Sequence, residues 1–302
     1  MSILVVGSVA LDSIKTPFGQ VDKALGGAAT YFSLAAHFFA PVNLVGVIGE
    51  DFPQQYIDLL RQENINIEGL TQEKGKSFHY KGEYGYDLNQ RTTIDTQLNV
   101  FEHFSPQLPE AYSKSRYVFL ANIDPNLQLK VLQQVESPQL IACDTMNYWI
   151  ENKLQDLTEL LKKVDILMIN DFETRELARE HNLIKAARKI LQMGPNFLII
   201  KRGEYGALMC SSEGFFWAPA YPLENVLDPT GAGDSFAGGF MGYLAKCQDC
   251  KQISLQRALI FGSVLASYTV EDFSVNRLTK ISPDDIIERF REFKKLTHFE
   301  EL

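Results

Sequence analysis

Short apolar runs along this chain alternate with longer stretches whose apolar positions recur every three or four residues. ILVVGSVALD (3–12) predicts a buried strand and LGGAATYFSLAAHFFA (25–40) a glycine-led helix, followed by the strand NLVGVIG (43–49) and the helix FPQQYIDLLRQEN (52–64). The rhythm resumes with the apolar strands YVFLAN (117–122), QLIACD (139–144), DILMIN (165–170) and NFLIIKRG (196–203). Between them lie the helical patterns NLQLKVLQQVE, LQDLTELLKKV and FETRELAREHN. Alternation of this kind predicts an α/β fold with a mainly parallel central sheet and helices on both faces.

One segment departs from that rhythm. In SFHYKGEYGYD (77–87) the aromatic residues Phe78, Tyr80, Tyr84 and Tyr86 fall on even positions among mostly polar neighbours, the two-residue period of a half-exposed strand, and TTIDTQLNVF (92–101) continues it. The pattern predicts a small β-sheet projecting from the main body, its strands drawn from about 12–24 and 77–100. Its aromatic face must meet something: a second copy of the chain in a homodimer, a hydrophobic underside, or a ligand beneath a lid. From Ser235 onward the chain reads as helical, and no repeat or linker divides residues 1–302, so one domain is expected.

Composition narrows the function. With 29 Lys plus Arg against 38 Asp plus Glu, the net charge of −9 argues against nucleic-acid or anionic-membrane partners, so a polyanionic ligand needs a locally built site. The N-terminus lacks the basic start and cleavage signal of a leader peptide. The longest apolar stretch, 29–49, is interrupted by His37, Pro41 and Asn43, and a cytoplasmic protein is expected. Cys247 and Cys250 form a lone C-x-x-C without a second ligand pair, which reads as incidental, not as a zinc site.

The chemistry concentrates in DPTGAGDSFAGGF (228–240). Asp234 stands at the expected N-cap of a helix beginning near Ser235, after Gly231 and Gly233, residues that free the backbone before it. On one reading these residues merely cap a core helix. On the other, the amides of Gly231, Ala232 and Gly233 together with the helix dipole form an anion site, and Asp234 accepts a hydroxyl proton as the oxygen attacks phosphorus. Gly238, Gly239 and Gly242 each cost about 1 kcal/mol relative to alanine inside a helix, which implies close backbone approach to a neighbour or a nucleotide. GAGDSF is a near miss to G-x-G-x-x-G, but it precedes a helical tail and opens no βαβ unit, so a Rossmann dehydrogenase is the weaker alternative.

The stretch resembles the second signature of the ribokinase-like (PfkB) kinases, whose usual core is D-T-x-G-A-G-D, and GSVALD, LGGAATYFSLAA, LVGVIGEDFP, NDFE and KRGEYGAL follow in that family's order. The resemblance implies a ribokinase-like three-layer α/β/α domain with a small β-sheet lid. It also implies an anion hole at Gly231, Ala232 and Gly233 and a catalytic base at Asp234. Asp12 would hold sugar hydroxyls, with Gly26 and Gly27 as the lid hinge. Tyr31 stands where the family often has asparagine, which changes the usual sugar contact. Asn170 and Glu173 match the N-x-x-E motif that organises water-bound Mg²⁺, although Glu173 could equally serve its own helix dipole. Lys201, Gly203 and Gly206 occupy the family's nucleotide-phosphate place, and Ser263 is a weaker candidate for the adenine pocket, with helix packing as the competing reading. Asp228 lies where the family has a monovalent-cation site; Pro229 replaces the common threonine and leaves K⁺ dependence open.

The expectation from the whole is an ATP- and Mg²⁺-dependent kinase acting on a hydroxyl of a sugar or nucleoside, with the aromatic stripe and Tyr31 tilting the acceptor toward a nucleoside. A nucleotide-responsive binding protein of the same fold is the competing class. The presence of both Asp234 and Glu173 speaks against it, because a sensor needs neither a base nor a metal organiser.

Overall fold

The computed structural model describes residues 1–298 and residue 300. Strand β1 (Ile3–Val6) is followed by the hairpin β2 (Ala10–Thr16) and β3 (Gly19–Gly26), helix α1 (Ala28–Ala36), β4 (Val42–Gly49), α2 (Gln54–Gln62) and β5 (Asn66–Glu73). A second hairpin, β6 (Phe78–Tyr84) and β7 (Arg91–Gln97), leads to α3 (Glu110–Ser113), β8 (Tyr117–Leu120), α4 (Pro125–Leu132) and β9 (Leu140–Asp144). Next come α5 (Asn147–Asn152), α6 (Leu154–Leu161), β10 (Ile166–Asn170), α7 (Asp171–Ala178), α8 (Leu183–Leu191) and β11 (Phe197–Lys201). The antiparallel strands β12 (Ala207–Ser211) and β13 (Gly214–Ala218) precede three long helices, α9 (Ala232–Cys247), α10 (Gln252–Thr269) and α11 (Pro283–Thr297).

Nine strands form the central sheet in the order β13-β12-β11-β10-β9-β8-β1-β4-β5. Every pairing from β11 to β5 is parallel, and the β11–β12 and β12–β13 pairings are antiparallel. Alternate residues feed two cores. Ile3 and Val5 of β1 pack with Phe32, Phe240 and Leu259 from α1, α9 and α10, while Leu4 and Val6 face Val131, Leu157 and Ile190 from α4, α6 and α8. A strand buried on both faces must be apolar at every position, which is why these runs do not alternate in the sequence. The result is three layers, α/β/α.

A separate four-stranded sheet, in the order β3-β2-β6-β7, projects from this body. Here the structure corrects the expectation of one strand over 3–12. β1 ends at Val6, Ser8 lies between strands, and Ala10 already belongs to the projecting sheet. The break follows from packing at Gly7, where a Cβ atom would lie 2.6 Å from that of Ala121. Asp12 is therefore the third residue of a lid strand and does not end the first core strand.

The glycines of α9 serve neighbouring helices. A Cβ on Gly238 would stand 2.4 Å from the carbonyl oxygen of Phe32 in α1, and one on Gly239 would stand 2.7 Å from that of Phe261 in α10. Close backbone approach offsets the helix-propensity cost and fixes the start of α9 against the sheet.

Candidate active site

The site begins with the turn that starts α9. Gly231, at φ 78°, is the N-cap, and the helix starts at Ala232, earlier than the sequence predicts. A left-handed glycine lets the chain turn abruptly into the helix, and a Cβ there would run into the Tyr31 ring at 2.4 Å. Asp234 is consequently the third helical residue and not the cap, and no side-chain capping bond forms at this helix. Simple capping thus fails to explain Asp234. The Ala232 amide turns back to the Pro229 carbonyl at 3.2 Å, which modifies the expected donor set. Among the described residues no backbone acceptor meets the Gly233 or Asp234 amide, so these N–H groups remain directed from a helix N-terminus.

Three parallel strands deliver polar residues to the same place. Asp144, Asn170 and Lys201 end β9, β10 and β11, and their register puts all three on the face that carries α9. Lys201 Nζ donates to Asp144 Oδ2 at 2.9 Å in a largely buried ion pair. The same ammonium lies 3.0 Å from where a Cβ on Gly233 would stand, so it sits against the first turn of α9. Glu173 and Asn170 form a reciprocal capping box: the Glu173 amide donates to Asn170 Oδ1 at 2.7 Å, and the Asn170 amide donates to Glu173 Oε2 at 2.8 Å. The dipole-serving reading of Glu173 is thus realised, while Glu173 Oε1 remains outside the box.

The lid supplies the opposing wall. In the parallel β2–β6 register Asp12 pairs with Tyr80, and in the antiparallel β6–β7 register Tyr84 pairs with Arg91. Paired residues share a face, and the register shift between Lys81 and Gly82 puts its extra residue, Ile94, on β7, so β6 keeps its alternation and Asp12, Tyr80, Tyr84 and Arg91 project from one side of the lid. Arg91 lies over the Tyr80 ring, 5.2 Å from its centroid. Thr230 Oγ1, in the α9 turn, donates to Tyr84 Oη at 3.3 Å, which joins lid and anion site directly. The aromatic stripe is shorter than expected: Phe78 stacks on Phe101 at 5.4 Å, and Tyr86 lies beyond the strand, 89% exposed.

Gly26 and Gly27 make room for Asp12. A Cβ on Gly26 would overlap the Asp12 carboxylate at 2.0 Å, and Gly27, at φ 95°, would meet the Ser8 carbonyl at 2.5 Å if it carried one. Burial pushes the Asp12 carboxyl up to about 7; the Gly27 amide opposes the rise, Asp228 and Asp234 add to it, and Arg91 lowers it. Burial also takes Asp234 to about 7, with Asp144 adding to the rise and Lys201 and Arg91 opposing it. Glu173 is likewise raised to about 7 by burial and then by Asp144, with Lys201 opposing. Asp234 is only partly buried. Tyr31 is buried at 2% exposure with its hydroxyl unpartnered, and burial followed by Asp12, Asp228 and Asp234 raises its pKa well above normal.

Behind the α9 turn runs a cleft of about 960 Å³ lined by Lys201, Gly203, Gly206, Ala232 and Gly233 at one end and by Ser263, Ala266 and Val270 toward the other. Ser263 Oγ donates to the Leu259 carbonyl at 3.2 Å, so the residue contributes a small helix surface to the wall while its hydrogen bond stays within α10. Asp228 is 1% exposed; Oδ1 accepts from the Thr230 amide at 2.9 Å, and Oδ2 has no hydrogen-bond partner among the described residues. All four cysteines are free thiols, and among the described residues no group of three or more His, Cys, Asp or Glu converges on a metal position. None of the described helices is long and apolar enough to cross a membrane.

Sequence reasoning missed Asp144, Arg91 and the Tyr84–Thr230 contact. Asp144 had a readable signal, because it ends the apolar strand QLIACD just as Asn170 ends DILMIN. Arg91 had none: its place depends on the register between two lid strands.

Sequence comparison finds a cytidine kinase of Thermococcus kodakarensis 29% identical over 267 residues, covering 85% of this chain and 95% of that protein. A nucleoside kinase of Methanocaldococcus jannaschii is 25% identical over 286 residues, covering 89% of this chain and 90% of that one. Among solved folds, an aminoimidazole riboside kinase from Salmonella enterica, complexed with aminoimidazole riboside and an ATP analog, superposes with a TM-score of 0.78 at 16% identity, covering 96% of this chain and all of that one. The Methanocaldococcus jannaschii nucleoside kinase structure gives a TM-score of 0.75 at 21% identity, covering 96% of this chain and 98% of that one. The family model for pfkB family carbohydrate kinases matches residues 2–281, and with it the chain belongs to that family and is a phosphotransferase with an alcohol group as acceptor.

Proposed function

We propose that this chain transfers the γ-phosphoryl group of ATP to a sugar hydroxyl of a nucleoside. The observation that carries the reading is the meeting of two surfaces. The lid face bearing Asp12, Tyr80, Tyr84 and Arg91 stands opposite the α9 turn with its free amides and Asp234. Similarity to a cytidine kinase and a nucleoside kinase supports a nucleoside acceptor, as do aromatic rings on the acceptor side on which a base can stack.

On this reading the acceptor lies beneath the lid, its ribose hydroxyls donating to Asp12, with Gly26 and Gly27 leaving space for that carboxylate. Tyr31 backs the α9 turn with its ring, and its hydroxyl is buried behind that turn. ATP lies in the cleft behind α9, its phosphates along Lys201, Gly203 and Gly206 and its base toward Ser263. The acceptor oxygen attacks the γ-phosphorus, Asp234 takes the hydroxyl proton, and the bond to the ADP oxygen breaks. The Gly233 and Asp234 amides and the Lys201 ammonium face the negative charge carried by the transferring group, in a site the lid keeps dry.

Two carboxylates, Asp144 and Glu173, suit a divalent cation held through its waters and the donor phosphates, which needs no direct cage of protein ligands. The Asp144 carboxylate raises the charging cost of both Glu173 and Asp234, with Lys201 as the buried cation among them, a balance that added positive charge relieves. Asp144 and Glu173 would hold Mg²⁺ through its waters, with Asn170 orienting Glu173 through the capping box. When bound, the ion neutralises phosphate charge. The unpartnered Asp228 Oδ2 fits a monovalent cation such as K⁺.

The test is a panel of nucleosides, ribose and fructose with ATP, read by ADP release and by the mass of the product. Turnover of a nucleoside above both free sugars is expected. Turnover of free sugars alone overturns the nucleoside assignment, and thermal stabilisation by ATP without product from any acceptor favours a nucleotide sensor.

A further inference from the structure

The cleft behind α9 has a wall that the kinase reading does not use. Beside Gly203 it is lined by Tyr86, Asp87, Leu88 and Asn89, from the turn that joins β6 to β7. This is the far end of the same hairpin whose strands face the acceptor. The turn is built, not loose: the Asn89 amide donates to Asp87 Oδ1 at 3.1 Å, Gln90 Nε2 donates to Asp87 Oδ2 at 2.7 Å, and the Gln90 amide donates to the Asp87 carbonyl at 3.1 Å. It is clasped to the strand-end turn after β11. Asn89 Nδ2 donates to Glu204 Oε1 at 3.1 Å, and Asn89 Oδ1 lies so close to Gly203 that a Cβ there would stand 2.0 Å away. Leu88 is half-buried while Tyr86 is 89% exposed beside it, so apolar surface remains uncovered at the mouth of the cleft.

We infer that the hairpin tip, residues 86–89, is a working wall of the phosphoryl-donor compartment. Leu88 covers the donor at the Gly203 end of the cleft, and the Asn89–Glu204 clasp holds it there. This rests on the assignment of the cleft to ATP. It adds that one hairpin grips both substrates, the acceptor along its strands and the donor at its tip.

The test measures binding of the non-hydrolysable triphosphate AMP-PNP with Mg²⁺ by calorimetry, without acceptor, in the wild-type protein and in Leu88→Ser, Asn89→Ala and Lys81→Ala. Lys81 is exposed on the other side of β6 and serves as a control. The dissociation constant should rise about 5- to 10-fold in Leu88→Ser and Asn89→Ala and stay unchanged in Lys81→Ala. The unliganded melting temperature should be the same in all four proteins, which separates a lost contact from a lost fold. In turnover assays KM for ATP should rise in the two tip variants while kcat holds. Wild-type binding that neither tip substitution weakens beyond twofold refutes the tip's role and leaves the kinase reading standing. A wild-type protein that does not bind the analogue refutes the cleft assignment, and this inference with it.

Discussion

Asp234 carries two costs that point in one direction. Its carboxyl is half-buried, with the Asp144 carboxylate near it, and makes no capping bond, so the charged form is held at a pKa of about 7. A group placed at such expense is suited to exchanging a proton near neutrality. Asp234→Asn should therefore keep the fold and nucleotide binding while kcat falls by about 10²- to 10⁴-fold in a coupled ADP assay. The linkage sign follows from the raised value: the folded state binds the proton more tightly than the unfolded chain, so this site's stabilising contribution is complete below about 4 and is lost as pH rises through about 7. The asparagine variant should melt above wild type at pH 8, and the gap should shrink at pH 5, as read by calorimetric scans at the two pH values. Equal melting temperatures at pH 8 would show that the carboxylate bears no burial cost.

At the scale of elements, the glycines of α9 make a sharp comparison. Gly238→Ala forces a methyl against the Phe32 carbonyl at 2.4 Å, backbone that cannot rotate away, whereas Gly85→Ala in the lid meets nothing within 4 Å. The first should cost about 1–3 kcal/mol and the second under about 0.5 kcal/mol in urea unfolding. Losses of the same size in both would mean that helix packing does not explain these glycines. This packing was legible only as an implication in the sequence: the strands and helices followed from apolar periodicity, and the glycine-rich turn from its composition. What escaped was whatever depended on long-range register. The run 3–12 reads as one strand because its apolar character is unbroken, yet at Gly7 contact with Ala121 is tight and the chain leaves one sheet for another. The helix start was misplaced for a local reason, since a left-handed Gly231 supplies the cap usually expected of an aspartate or serine. Asp144 and Lys201 are 57 positions apart, and only parallel pairing makes them an ion pair.

For the whole molecule, the site exists only when the lid and the α/β body meet, and Arg91 reports that meeting. It is carried on an edge strand of the lid, beside Tyr84, whose hydroxyl touches the α9 turn, and its positive charge lowers the pKa of Asp12 in the lid and of Asp234 and Glu173 in the body. Withdrawing that charge leaves the carboxylates harder to ionise, because burial and mutual repulsion continue unopposed. The acid limb of the profile of kcat/KM against pH should lie near 7 in the wild type and move upward by a few tenths of a unit in Arg91→Ala, while Arg91→Lys restores most of the position. The basic plateau separates this effect from lost substrate contact. Once Asp234 is fully ionised, the charge effect disappears, so any deficit that persists at high pH measures binding to Arg91 itself. A limb that stays fixed in Arg91→Ala would mean that the lid does not close on Asp234 during turnover, and that the field of the lid plays no part in setting the base.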